Sequence, residues 1–161
     1  QLYIHDPLTG LYNRMAYEKL ALPLFQKCMG ESRSVGILFI DADHLKYIND
    51  NFGHDMGNLA ISNIASVIQR HCPLNAIAMR YGGDEFVCVI PGTDQQQLVL
   101  LEQQITDSLS GLSENNLFDF PIEASIGFVI ADNPELSLND YINFADEKMY
   151  AAKKARRAAR K

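Results

Sequence analysis

The segment Ile37-Leu38-Phe39-Ile40-Asp41-Ala42-Asp43-His44 runs four apolar side chains directly into acidic ones. A stretch that is apolar at every position has no face to offer to water. It therefore predicts a central strand covered on both sides, with other elements of the chain supplying the cover. An aspartate at the end of such a strand is a costly place for charge unless something cationic compensates it. Hard divalent ions meet that need. Mg²⁺, with Mn²⁺ as the alternative, takes a few carboxylate oxygens, a backbone carbonyl and substrate phosphates into its octahedron.

A second acidic pair strengthens the argument. In Arg80-Tyr81-Gly82-Gly83-Asp84-Glu85-Phe86 the carboxylates follow a double glycine, and apolar runs at Ala76–Met79 and Phe86–Ile90 flank them. This predicts a hairpin with charge at its tip. Gly82 and Gly83 are expected to supply positive φ and an absence of bulk, so that phosphates can approach the backbone while Asp84 and Glu85 face them. Any tight hairpin favours Gly and Asp, so a bare Gly-Gly-Asp carries little weight. Together with Asp41 it points to a metal–nucleotide site, in which Asp41, the Ala42 carbonyl, Asp84 and Glu85 form the protein half.

The rest of the chain alternates elements without repeats. A helical pattern runs from Asn13 to about Met29 with a kink expected at Pro23, and a short helical turn carries Lys46 and Asn49. A second helix, closed by Pro73, presents Leu59, Ile64, Val67 and Ile68; a third, from about Asp94 to Leu112, presents Leu98, Leu101, Ile105 and Leu109. Ile122–Ile130 is strand-like and Leu138–Arg157 helical. The order β-α-β-β-α-β with extra helices predicts an α/β (α+β) fold of ferredoxin-like type, its central sheet mostly antiparallel and flanked by helices. This arrangement is similar to the palm of nucleotide cyclases and polymerases.

Composition narrows the function. A length of 161 residues with 47% hydrophobic side chains fits one domain spanning residues 1–161. A formal charge of −6 argues against a general nucleic-acid binder, which needs clustered basic residues. Cys28, Cys72 and Cys88 are odd in number and lack paired spacing, as expected of reduced thiols. His5, His44, His54 and His71 lack metal-ligand spacing. No apolar stretch approaches the length of a membrane span and no signal-peptide pattern is present, so the expectation is a cytoplasmic domain without membrane contact of its own. The first residue is Gln1, which suggests a domain excised from a longer protein with an upstream sensor or regulatory domain, itself free to be membrane-anchored.

The run from Asp41 to Phe86 resembles the GGDEF domain of diguanylate cyclases. The resemblance extends to Asp6-Pro7-Leu8-Thr9-Gly10-Leu11-Tyr12-Asn13-Arg14 at one end and to Phe144-Ala145-Asp146-Glu147-Lys148-Met149-Tyr150-Ala151-Ala152-Lys153 at the other. It implies condensation of two GTP into cyclic di-GMP with release of two pyrophosphates. Asp41 and Asp84 would be metal ligands with the Ala42 carbonyl, and Glu85 a further ligand or the group that helps deprotonate the attacking hydroxyl. Asp43 would be solvated at its loop, because its family counterpart is not a principal ligand. Lys46, Lys153 and Arg157 match phosphate-contacting positions, Asn49 and Asn58 match base-contacting ones, and Gly82 and Gly83 would line the substrate. One domain holds one GTP, so two domains would have to face each other in a homodimer. The alternatives are a non-catalytic GTP-binding signalling module and a cyclase with relaxed purine choice.

Several positions depart from the family pattern. The product-inhibition motif, an Arg and an Asp separated by two residues, would fall where this chain has Pro73 and Ala76, so that site should be absent. The closing motif usually ends Gly-Arg-Asn and here reads Arg156-Arg157-Ala158. Asn58 stands where the family usually has Asp. Tyr12, Tyr17 and Phe25 are expected in the core or at a dimer contact.

Overall fold

The computed structural model describes residues 2–114 and 118–160. The apolar run forms β1, Val35–Ala42, with every residue from Val35 to Ile40 buried. The hairpin supplies β2, Ile77–Arg80, and β3, Glu85–Pro91; the last strand, β4, is Ala124–Ala131. The sheet order is β2-β3-β1-β4 and every pairing is antiparallel. This is the ferredoxin-like arrangement that the element order predicts.

The strand period of two divides the core. Leu38, Ile40, Phe86, Cys88 and Ile126 face one side, under α3 (His54–His71) and α4 (Gln95–Glu114). Ile37, Phe39, Val87 and Val89 face the other, under α1 (Leu22–Gly30) and α5 (Leu138–Ala159). The short α2, Leu45–Phe52, links β1 to α3. Phe25 lies in the second core with Tyr12 and Tyr17 packed against it. Among the described residues no helix is long and apolar enough to cross a membrane.

Three expectations change in detail. The first helix begins later than Asn13, because the Asn13 carboxamide accepts from the Met15 N–H at 2.9 Å and holds the chain in a turn. A π-helical turn, Tyr17–Ala21, then precedes α1. Pro23 has no N–H and its ring crowds the preceding turn, so the widened turn takes the place of a simple kink. Leu59 is 41% exposed, since the buried stripe of α3 is centred on Gly57, Ile64 and Ile68 and Leu59 lies about 200° round the helix from Gly57. The glycines with left-handed φ are Gly10, Gly53 and Gly92; Gly82 and Gly83 are not among them.

One glycine controls how the last helix meets the sheet. A Cβ on Gly127, in β4, would overlap the backbone at Ala145 and Met149 of α5. The bare Cα lets the helix backbone lie against the strand, and Ser137 with Asp140 fixes the start of that helix through a reciprocal capping box. Gly127→Val should therefore lower the unfolding free energy by on the order of 3 kcal/mol, because the obstruction is backbone and cannot change rotamer. Urea unfolding of the two proteins checks this; a difference below about 0.5 kcal/mol would mean that α5 sits further out.

Candidate functional site

The carboxylates gather where β1 and β3 end side by side. Asp41 and Glu85 are register partners, and the strand period turns both toward the α5 side of the sheet. The Ala42 N–H donates to the Asp84 carbonyl at 2.9 Å, which ties the hairpin tip to the end of β1. Glu85 folds back over Gly82, whose added Cβ would lie 2.5 Å from Glu85 Oε1. Gly82 thus makes room for the Glu85 carboxylate, and its φ is not left-handed. Gly83 contributes its carbonyl, which accepts from Arg80 Nε at 3.1 Å and Nη2 at 2.7 Å.

Arg80 also holds the opening segment. Its Nη1 donates to both Asp6 oxygens, at 3.2 and 3.3 Å, while Asp6 accepts from the Thr9 N–H and hydroxyl at 2.9 and 2.8 Å. Burial pushes the Asp6 carboxyl up, but the Thr9 bonds and Arg80 prevail and hold it below the usual range. Arg14 braces the other side of the tip, with its guanidinium 3.9 Å from the Tyr81 ring centre. The conformation of the hairpin thus depends on residues 6–14, far away in sequence.

α5 brings cations to the carboxylates. Lys153 pairs with Asp41 and its Nζ lies 3.6 Å from Asp43. Arg156 pairs with Asp43 and donates to the Ala124 carbonyl at 3.1 Å. Asp43 is therefore not solvated: its side chain is 6% exposed and accepts a further hydrogen bond from Ser125 at 2.8 Å. Asp41 differs. Its Oδ1 is buried and has no hydrogen-bond partner among the described residues.

The other expected residues are spread around this centre. Lys46 is engaged with Asp50 at 2.8 Å on the solvent side of α2. A Cβ on Gly57 would overlap the Asn49 carboxamide, so Asn49 rests against the first turn of α3, one residue from the exposed Asn58. Arg157 is exposed, one residue beyond Arg156. Asp43, Arg156 and Asp146 were not singled out as site groups by sequence. A pairing across 113 positions leaves no local pattern to read.

The electrostatics follow from this crowding. Burial raises the Asp41 pKa, as do Asp84 and Asp43, against the pull of Lys153. Burial likewise raises Glu85, reinforced by Asp41, Asp84 and Asp146 and opposed by Arg14. Among the described residues no group of three or more His, Cys, Asp and Glu side chains is arranged to hold a metal ion by itself. The donors do fit one Mg²⁺ requirement: a buried carboxylate oxygen without a partner among the described residues, beside further carboxylates, is a place where a hard cation would compensate charge.

The comparisons agree with this architecture. The family described as "Diguanylate cyclase, GGDEF domain" matches residues 3–159. The chain is 33% identical over 153 residues to the probable diguanylate cyclase DgcC of Escherichia coli, covering 94% of this chain and 41% of that protein. It is 30% identical over 153 residues to the bifunctional diguanylate cyclase/cyclic di-GMP phosphodiesterase MucR of Pseudomonas aeruginosa, covering 95% of this chain and 22% of that protein. It thus spans less than half the length of either relative. The crystal structure of the GGDEF domain of DgcB from Caulobacter crescentus, in complex with c-di-GMP, superimposes with a TM-score of 0.86 at 28% identity, covering 94% of this chain and 91% of that one. The chain belongs to the GGDEF domain family.

A folded-state pKa above the unfolded value means that a carboxyl adds stability while protonated and loses it as pH rises. For Glu85 that loss begins near its ordinary value of 4.5 and continues upward. Glu85→Gln should therefore melt at higher temperature than the parent at pH 7 without divalent ions, with the gap closing toward pH 4. A gap that stays constant across that range would show that Glu85 does not feel its acidic neighbours.

Proposed function

We propose that the chain is a diguanylate cyclase domain that joins two GTP into cyclic di-GMP and releases two pyrophosphates. Family membership supports the reaction class. The observation that carries the reading for this chain is the buried Asp41 Oδ1, without a partner among the described residues, beside the Asp84–Glu85 tip. Asp41 and Asp84, with the Ala42 carbonyl, would hold Mg²⁺, or Mn²⁺ in its place; Glu85 either completes that shell or accepts the proton of the attacking 3′-hydroxyl. Bound there, the metal supplies charge for the phosphates and lowers the pKa of the hydroxyl.

The chain's own residues do the remaining work. Gly83, exposed at the tip, leaves its backbone open to phosphate, and Gly82 would join it once Glu85 swings away. Lys153, already at the carboxylates, would give its ammonium to a phosphate oxygen of the bound nucleotide. Lys46 and Arg157 lie on exposed helix faces from which long side chains can reach phosphate oxygens. Asn49, whose carboxamide rests against Gly57, and Asn58, the next residue along α3, would be the base-reading pair. Each domain provides one half of a reaction that makes two phosphodiester bonds, so the productive species is a twofold homodimer. Sensor or regulatory segments elsewhere in a longer parent would control that encounter.

Asn58 bears on nucleotide choice. Guanine presents two adjacent donors, N1–H and the 2-amino group, which a carboxylate can accept together with charge assistance. A carboxamide offers one acceptor and one donor, a pattern that suits adenine's N1 and 6-amino group better. Loss of one such bond in a desolvated site costs on the order of 1–3 kcal/mol, or roughly one to two decades in affinity. Asn58→Asp should therefore tighten GTP binding and sharpen its preference over ATP. Titrations of both nucleotides against both proteins decide it, and unchanged selectivity would remove position 58 from base reading.

Asp84→Ala should abolish turnover of GTP while leaving the melting temperature within a few degrees, because the side chain lies at a hairpin tip outside the core. Product formation near the parent level would place the metal site elsewhere.

A further inference from the structure

We propose that Arg156 is a positioning residue that keeps Asp43 out of the metal site and so reserves Lys153 for Asp41. The inference rests on the reading of Asp41, Asp84 and Glu85 as a metal-dependent nucleotide site. Asp43 follows Asp41 by two positions, in the turn that opens just after β1, where its N–H donates to the Glu123 carbonyl at 2.8 Å. Their ion pairs with Lys153 and Arg156 put both side chains on the α5 face, within reach of one lysine. Two carboxylates around one ammonium are a ready chelate for a divalent ion. Their oxygens are satisfied very differently, however.

Both oxygens of Asp43 are taken, Oδ1 by the Ser125 hydroxyl at 2.8 Å and Oδ2 by Arg156. The second guanidinium nitrogen of Arg156 is anchored on the Ala124 carbonyl at 3.1 Å, so the planar fork is fixed at both prongs. One turn on, Arg160 holds Glu123 at 2.6 Å and pins the same end of α5 over the same strand ends. Asp41 has one oxygen on Lys153 and the other buried with no partner among the described residues. The guanidinium thus selects which aspartate stays available, and Lys153, left 3.6 Å from Asp43, leans to Asp41. Without Arg156, the buried Asp43 charge would draw Lys153 over and expose an Asp41–Asp43 pair to any divalent ion.

Mn²⁺ binding, followed by the electron paramagnetic resonance of the free ion in the absence of nucleotide, tests this on the parent, Arg156→Gln, Arg156→Lys and the double variant Asp43→Asn/Arg156→Gln. Arg156→Gln should bind Mn²⁺ roughly tenfold more tightly than the parent, because one positive charge leaves the site and one carboxylate becomes free. Loss of structure alone would lower the affinity and could not raise it. Arg156→Lys should stay near the parent value, and the double variant should return to it. An unchanged affinity in Arg156→Gln, or a raised affinity that persists in the double variant, overturns the proposal. If Arg156→Gln alone does not fold, the double variant, which buries no unpaired charge, should fold and bind like the parent; its failure to do so also overturns the proposal. A parent protein that binds no Mn²⁺ even with a non-hydrolysable GTP analogue would refute the metal-site reading itself, and the role of Arg156 with it.

Discussion

The negative charge at the end of β1 is the constraint around which the rest is arranged. Asp41 caps a strand whose preceding residues are buried on both faces, and β3 adds Glu85 directly beside it. Like charges at that spacing are tolerated only with cations nearby. α5 supplies them: the bare Cα of Gly127 lets its backbone lie against β4, and Lys153 and Arg156 then reach Asp41 and Asp43. A glycine in one strand thereby decides whether the aspartates of another are compensated.

The same constraint explains the opening segment. Charged residues on an ordinary hairpin tip would leave it free to move. Here Arg80 links the Gly83 carbonyl to Asp6, and Arg14 lies across Tyr81. The Tyr12 N–H donates to the Ala78 carbonyl at 3.2 Å, while the Arg80 N–H donates to the Tyr12 carbonyl at 2.8 Å, so this segment also protects the edge of β2. Asp6 is held below the usual carboxyl range, so its contribution is present at neutral pH and is lost as pH falls through its lowered pKa. Asp41 and Glu85 contribute in the opposite sense. The hairpin is thus stabilised beside its turn by the Arg80–Asp6 pair and destabilised by the carboxylates crowded around Glu85, a charge that a divalent ion would relieve.

Most of the fold was legible because burial leaves a period. The apolar run Ile37–Ile40 required a covered strand, and Leu98, Leu101, Ile105 and Leu109 lie on the buried face of α4 as their spacing requires. Leu59 was misassigned because a leucine near the stripe of α3 looks like part of it until the angle is counted. The double glycine suggested left-handed backbone, whereas Gly82 makes room for Glu85 and Gly83 offers its carbonyl. The pairing of Asp43 with Arg156 was not legible at all. Its partners are joined only by the packing of α5, and a departure from a familiar motif at Arg156 gives no hint of the contact that it makes.

The central claim is that these carboxylates, with a metal, turn two GTP into a cyclic dinucleotide between paired domains. Incubating the purified chain with GTP and Mg²⁺ over a dilution series, and identifying and counting the products at each concentration, tests this most directly. Cyclic di-GMP and pyrophosphate should form, at a rate per domain that rises with protein concentration as pairs assemble. GTP left intact at every concentration, or a rate per domain that stays flat down to dilutions at which the chain is monomeric, would contradict it.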